Sequence, residues 1–419
     1  MNISLDVKTK FAADVVVVGG GTAGVFAAIA AAKTGAKTIL IEKNTILGGT
    51  MAMANICFPG LFFAWGKQII SGPCWDSILL AASLGGATLP EISFKPKHHW
   101  DEQIPLNRFI YTTVLFKMCE ESGVEVICNS MLSHAESIDN GVRLIVTGKK
   151  GVFLIDTKVA IDTTGDANLT EIMGYPLQKS ETLQPTTLHN RIGGYNIEDV
   201  TLEDIKEAYK NANLPSHIVP EALYNHLKSH FINIHTPCPD ADTSEGKTRL
   251  EMNAHYDLLR VVNFYKSIKG LEGLHVSFAA DETGVRETNR IVGETVISAE
   301  DYINGYLYPD SICYAFYPID LHVMKGIEQQ FHKENVVSKI PYSALIPKGS
   351  KRLLVAGRCM SSDTLSNSAL RVEAPCMATG QAAGCAAAIA AARGIDVADV
   401  NYVELCNKLE AIGAIVPKE

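Results

Sequence analysis

A chain of 419 residues exceeds what one hydrophobic core usually spans, so two domains are expected. Apolar residues make up 47% and charged residues 20%, the balance of a soluble globular protein. A net charge of -9, with no block of lysine or arginine, argues against nucleic acid or an anionic membrane as partner.

The segment before Asp14 has no apolar stretch with a cleavage site, so no secretory signal is expected and the chain is assigned to the cytoplasm. From Asp14 to Glu42 the chain reads as strand, glycine turn, helix and strand. Asp14-Val15-Val16-Val17-Val18 is a β-branched run that suits a strand buried on both faces of a parallel sheet. Gly19-Gly20-Gly21-Thr22-Ala23-Gly24 then supplies G-x-G-x-x-G. In that pattern Gly19 permits the turn, Gly21 admits a pyrophosphate to the backbone, and Gly24 lets the helix pack closely on the strand. The helix, from about Thr22 to Lys33, offers free N–H groups and a positive dipole end. Thr38 to Ile41 makes the second strand, which ends at Glu42, eighteen residues after Gly24, where a carboxylate accepts hydrogen bonds from a ribose diol. An acid there disfavours a 2'-phosphate, so the turn is expected to hold the ADP half of FAD or NAD rather than NADP.

Lys43 follows, then Leu47-Gly48-Gly49-Thr50. A second glycine pair so soon after the ribose-binding acid implies a ligand longer than an adenosine, which favours FAD. Residues 51–105 are broken repeatedly by proline and glycine, as expected of loops that face a cofactor or substrate. The spacing predicts a helix from Arg108 to Ser122, with Ile110, Val114, Leu115 and Met118 on one face, then a strand from Gly123 to Cys128. Ser137 to Asp162 reads as a β-meander: a strand at Val142–Val146, a turn at Gly148–Gly151, a strand at Val152–Ile155, and another at Lys158–Asp162. The last runs into Thr163-Thr164-Gly165-Asp166-Ala167.

From about Leu183 to Pro341 helical segments (Leu202–Ala212, Pro220–Phe231) alternate with strand-like pieces (Ile312–Pro318), and no nucleotide signature appears. This region is expected to be an inserted α+β substrate domain, 183–341, within a Rossmann-like α/β cofactor domain formed by 1–182 and 342–419. The cofactor domain resumes with a buried strand, Leu353 to Ala356, ending at Gly357-Arg358. A long alanine-rich helix from Pro375 to Arg393 follows; its Gly380-x-x-x-Gly384 pair suits close packing on a cofactor or strand. A final helix, Tyr402–Ile412, carries no evident chemistry. Neither Met51–Trp65 nor Ala378–Ala392 is long enough to span a bilayer. The ten cysteines show no C-x-x-C and the histidines no ligand spacing, so reduced thiols and no metal are expected.

Together these landmarks resemble the flavoprotein superfamily that includes the fumarate reductase and aspartate oxidase flavoproteins. They resemble more closely the bacterial FAD-dependent oxidoreductases of mostly unassigned substrate. The matching pieces are the glycine fingerprint with Glu42-Lys43, Leu47 to Thr50, Asp162 to Ala167, Arg286 to Glu294, Leu353 to Arg358, and Arg371 to Gly384. The resemblance implies that Gly19, Gly21 and Gly24, with Thr22 and Ala23 at the helix start, hold the pyrophosphate. It places Glu42 and Lys43 at the adenosine ribose, Gly48, Gly49 and Thr50 at the pyrophosphate and ribityl side, and Met131-Leu132 at adenine. It also places Thr164, Gly165, Asp166, Gly357 and Arg358 along the phosphates and ribitol, and Gly380, Gln381 and Ala382 at a helix N-terminus facing the flavin pyrimidine.

For catalysis, His189 in the loop Pro185–Arg191 has an intrinsic pKa suited to taking a proton, and Arg290 and Arg371 suit a carboxylate or developing negative charge. Each arginine has an alternative as a structural ion-pair partner, Arg290 for Glu294 one helical turn away. Cys359 and Cys376 are read as packing. The expected activity is an FAD-dependent oxidoreductase moving a hydride between a small polar substrate and flavin N5, with an unassigned electron acceptor. The other readings are a flavin-binding sensor without turnover and an NAD-dependent dehydrogenase.

Overall fold

The computed structural model describes residues 7, 10–96, 98–237 and 240–418; most of the segment read above for a secretory signal lies outside them. Seven strands form the main sheet: β1 (Lys10–Val18), β2 (Thr38–Ile41), β3 (Glu125–Ile127), β4 (Met131–Ile138), β5 (Gly141–Gly148), β6 (Gly151–Asp162) and β7 (Leu353–Val355). Their order is β3-β2-β1-β6-β5-β4, with β7 also paired to β6. β3, β2, β1, β6 and β7 run parallel, whereas β4, β5 and the first half of β6 form an antiparallel meander. This is a Rossmann-like α/β fold with a β-meander.

β6 is one strand of twelve residues rather than the two expected at 152–155 and 158–162. Asp156-Thr157-Lys158 reads as a polar break, but each group finds a partner without bending the chain. Asp156 pairs with Arg143 at 2.8 Å, Thr157 Oγ1 donates to Val159 O at 2.9 Å, and Lys158 reaches Asp14 at 2.7 Å. One strand therefore belongs to the meander at its start and to the parallel sheet at its end.

The alternation along β1 divides the core. Val15 and Val17 join one apolar cluster with helix α1 (Thr22–Lys33), and Val16 and Val18 join another with Val142, Leu144 and Val146 of the meander. Burying each of these valines contributes about 1.5–3 kcal/mol. The helix from Arg108 to Glu121 buries Tyr111, Val114, Leu115 and Cys119, while Ile110 and Met118 lie half-buried at its rim.

A further cluster spans Leu188 to Ala280. Its backbone is a 23-residue helix, α2 (Ser244–Lys266), which the sequence reading passed over. The signal was present: Thr243 caps the helix by accepting from Gly246 N–H, and Leu250, Ala254, Leu258, Val261 and Tyr265 repeat at helical spacing on its buried side. Residues Ile297 to Ile346, by contrast, contribute buried side chains to the main cluster.

Helix α3 (Glu373–Arg393) lies directly on α1. A Cβ on Gly380 would stand 2.2 Å from Ala23 O, and one on Gly384 would stand 2.1 Å from Ala27 O. The Gly380/Gly384 pair thus packs on a helix, not on the cofactor or strand expected, and lets two alanine-rich helices touch along their backbones. Gly384→Ala should destabilise the protein by about 1–3 kcal/mol, because the clash with a main-chain carbonyl outweighs the roughly 0.5–1 kcal/mol of helix propensity that alanine gains. A lowered urea midpoint at unchanged slope is the expected result; an unchanged midpoint would mean the helices can separate freely.

Candidate functional site

Register alone collects the motifs. Val18 lies opposite both Ile41 and Asp162, and Asp162 opposite Val355, so four parallel strands end in one row. The residues that follow, Gly19, Glu42, Thr163 to Asp166 and Ala356 to Arg358, all leave from that edge, where ligands bind in open parallel sheets.

Gly19 has φ +105 and its N–H donates to Ile41 O at 2.8 Å. A Cβ on Gly24 would stand 1.8 Å from Gly19 O, so the turn closes only around glycine. Gly21 is the N-cap of α1 and no side chain caps it, which leaves the N–H groups of Thr22 and Ala23 free for an anion. Gly48 N–H donates to Gly20 O at 2.8 Å, and a Cβ on Gly49 would stand 2.7 Å from Gly21 Cα. A Cβ on Gly21, however, would meet nothing nearer than Gly49 Cα at 3.7 Å. The two glycine turns therefore press together and leave a cradle in front of the helix, which fits a pyrophosphate.

Glu42 closes the far end. It is 4% exposed; its Oε2 accepts from Gly20 N–H at 2.6 Å and its Oε1 from Asn44 N–H at 2.7 Å. Burial raises its pKa and these two amides pull it back. Lys43 is exposed, and Thr50 opens a short helical turn, Thr50–Met53. Ser130 N–H donates to Glu42 O at 2.9 Å, which ties the segment leading to Leu132 to the same loop, and the ladder shifts register between Leu132 and His134.

On the other side Asp162 organises the turn after β6. Its Oδ1 accepts from the Thr164 N–H at 3.0 Å and hydroxyl at 2.7 Å, and its Oδ2 from the Thr170 N–H and hydroxyl at 2.8 Å each. Arg358 then clasps that turn: Nε donates to Gly165 O at 2.8 Å, and Nη2 pairs with Asp166 at 2.7 Å. Its charge is spent on positioning Gly165 and Asp166 rather than left free for phosphate. A Cβ on Gly357 would stand 2.9 Å from the Ala23 side chain, which brings this loop against the start of α1.

Gly380, Gln381 and Ala382 are not at a helix N-terminus. The helix begins at Glu373, so they lie about two turns inside it, fully buried. Gln381 Oε1 accepts from Cys74 N–H at 3.0 Å and its Nε2 donates to Ser71 O at 3.1 Å. The first-turn position belongs to Glu373, Ala374, Pro375 and Cys376.

The three catalytic candidates fare differently. His189 is 6% exposed, with Nδ1 at 2.7 Å from Asn55 O and the Phe231 ring 4.1 Å away edge-on. Burial pulls its pKa down to about 4. Arg290 lies in a strand, Asn289–Ile291, rather than a helix, and its partner is Glu287, not Glu294. Its Nε and Nη2 are also engaged, by Ser362 O at 3.0 Å and Ser180 Oγ at 3.1 Å, so each of its three nitrogens has a partner within the protein. Glu294 instead accepts from Gly349 N–H at 2.8 Å. Arg371 is the opposite case, for its Nε is buried without a partner.

Two residues that sequence reasoning did not select stand beside Arg371. Glu373 is half-buried at the start of α3, and burial pushes its pKa up to about 7. Burial, and then the like charge of Arg371, lower the pKa of Arg286. Both lie within motifs that were recognised, but neither is marked there by its residue type alone. The thiols of Cys359 and Cys376 are buried and pushed up, Cys376 to about 12, as packing residues are. Among the described residues no cluster of three or more metal-ligating side chains occurs, and no helix is long and apolar enough to cross a membrane.

A parallel sheet with a meander, a glycine cradle at a helix start and an acid at the end of β2 defines a dinucleotide-binding protein of the Rossmann-like class. The particular group follows from comparison with known proteins. The profile of the FAD dependent oxidoreductase family matches residues 14–409, and the chain belongs to that family. FAD is its cofactor. A digeranylgeranylglycerophospholipid reductase of Methanosphaera stadtmanae is 26% identical over 161 residues, 37% of this chain and 38% of that protein. A fumarate reductase (cytochrome) of Shewanella frigidimarina is 51% identical over 55 residues, 13% of this chain and 9% of that protein. The chain thus spans less than two-fifths of the length of these relatives. Among solved structures, a geranylgeranyl bacteriochlorophyll reductase-like protein from Thermoplasma acidophilum is 14% identical, with a TM-score of 0.46 over 96% of this chain and 83% of that one.

Glu42→Gln keeps the shape of the side chain and removes the charge to which the ribose hydroxyls would donate. Losing a hydrogen bond to a charged group costs about 1.5–3 kcal/mol, so FAD affinity should fall by roughly 10- to 150-fold. Titrating the apoprotein with FAD, followed by flavin fluorescence, measures this; equal affinity would remove Glu42 from the nucleotide site.

Proposed function

We propose that this protein moves a hydride between a carbon atom of a small polar substrate and the flavin ring, the chemistry that FAD supplies when bound. The observation that carries this reading is the contact between His189 and Asn55, because the loop leaving the Gly48-Gly49 cradle also holds a fixed imidazole. A carbonyl acceptor at Nδ1 requires the proton there, so Nε2 keeps its lone pair and can accept a proton. With a pKa near 4 the ring is neutral at pH 7, which is the form a general base needs. Phe231 and Phe58 flank the ring and limit its access to water.

The division into an FAD-binding part, 1–182 with 342–419, and a substrate part, 183–341, belongs to the same proposal. Support comes from the separate apolar cluster between Leu188 and Ala280, which gives that stretch packing of its own, whereas Ile297 to Ile340 pack with the main cluster.

Glu373 favours a second assignment of the proton acceptor, since its carboxyl titrates near 7 at the first turn of α3. The two separate by pH. A base is active only when deprotonated, so the rate of anaerobic flavin reduction falls as pH drops through the pKa of the group responsible. Using the first substrate found to reduce the flavin in an anaerobic panel, His189 as base gives a midpoint near 4, and His189→Asn slows reduction by about 10²–10⁴-fold with FAD retained. A midpoint near 7 that disappears in Glu373→Gln would transfer the role to Glu373.

A further inference from the structure

Helix α2 carries two stripes. Ala254, Leu258, Val261 and Tyr265 bury one of them in the cluster from Leu188 to Ala280. Asn253, Tyr256, Asp257 and Arg260 repeat at i, i+3, i+4 and i+7 and form the other, which lines a cleft of about 260 Å³. Pro215, His217 and Pro237 add to the lining. Every lining residue lies between 215 and 260, so the cleft shares none of them with the glycine cradle or the His189 loop.

The polar groups of this cleft are little used by the protein itself. Asp257 is 7% exposed, and its Oδ1 accepts from Arg260 Nη1 at 2.9 Å. Among the described residues neither side chain has a second hydrogen-bond partner, so Asp257 Oδ2 and the other Arg260 nitrogens are open. His217 Nε2 is buried and likewise has no partner. A buried polar atom in that state is unfavourable until something completes its hydrogen bond. Tyr256 is 52% exposed and offers a ring face, and the two prolines give rigid apolar surface.

Three features narrow the ligand. Asp257 and Arg260 offset each other, so the lining selects neither an anion nor a cation. A carboxylate only accepts hydrogen bonds and a guanidinium only donates them, so the ligand must do both. From Asn253 to Arg260 the stripe extends about 10 Å along the helix axis, and its polar groups do not share a plane. A flat amide or heterocycle edge meets one of them. A saturated ring with hydroxyls around its rim meets several, because each hydroxyl donates and accepts. The volume, just below the range of about 300–1,000 Å³ usual for ligand pockets, suits one such ring.

We propose that this cleft binds a neutral sugar ring of hexose size. One hydroxyl donates to Asp257 Oδ2 while its neighbour accepts from Arg260, and the apolar face of the ring lies on Tyr256. The assignment is independent of the role given to His189.

The test uses the full chain loaded with FAD, saturation-transfer NMR and calorimetry as readouts, and D-glucose, D-galactose and D-mannose as probes. At least one of the three should bind saturably. Cyclohexanol, with a single hydroxyl, and nicotinamide, which is flat, should bind at least tenfold more weakly. So should the 6-phosphate and the 2-amino derivative of the sugar that binds, since each brings a charge that one member of the Asp257–Arg260 pair repels. Asp257→Asn and Tyr256→Ala should each weaken that sugar at least tenfold with the flavin band retained. Should Asp257→Asn fail to fold by circular dichroism, Asn253→Ala, at an exposed position of the same stripe, replaces it and should weaken the sugar at least threefold. A disaccharide with the same sugar at its non-reducing end separates two sources of the ring. Binding equal to that of the free sugar supports the end of a glycan, and loss of binding supports the free sugar. The proposal is overturned if none of the three sugars binds, or if cyclohexanol, nicotinamide or a charged derivative binds as tightly as the sugar. It is equally overturned if the folded variants bind the sugar as the parent does, because the sugar would then sit elsewhere.

Discussion

The site depends on strand register. Val18, Ile41, Asp162 and Val355 end level because each parallel pair is locked by side chains that alternate between two apolar clusters. A slip of one residue in any strand would turn its buried set to the wrong face, at a cost of several valine-sized burials. The glycine cradle inherits that precision. Gly19 donates to Ile41 O only because β1 and β2 end together, and Glu42 reaches Gly20 for the same reason. Geometry that a ligand needs to within fractions of an ångström is thus set by hydrophobic patterning several residues away.

A second constraint fixes the other wall. The backbones of α1 and α3 touch at Gly380 and Gly384, which sets where α3 begins relative to the glycine turn. Gly380 abuts Ala23 O, and Cys376 Sγ lies 4.0 Å from where a Cβ on Gly357 would stand, so the first turn of α3 borders the Gly357 loop. The same contact explains why Gln381 is occupied with Ser71 and Cys74 instead of a ligand. Its polar groups are buried and must be satisfied within the protein.

What was legible in the sequence follows from which signals are local. Helix Thr22–Lys33 and strand Thr38–Ile41 can be read to the residue, since the glycine turn, the alanine run and the β-branched run coincide with burial. β6 was not read as one strand, because the pairing that satisfies Asp156 comes from Arg143 on another strand, and sequence alone hides it. The helix Ser244–Lys266 was missed although its apolar repeat is regular, since charged residues dilute it. Among site residues, the glycines and Glu42 are named by a motif whose mechanism is local. Arg290 and Arg371 look alike in sequence, and only tertiary contacts separate the paired one from the unpaired one.

That last distinction carries chemical weight. A buried arginine with a carboxylate partner is part of the scaffold, and removing either member leaves an uncompensated charge that costs about 3–5 kcal/mol. Glu287 meets this need for Arg290, and Asp166 meets it for Arg358 while fixing the turn at Gly165. Arg371 differs from both: its Nε is buried without a hydrogen-bond partner, and no acid among the described residues forms an ion pair with it.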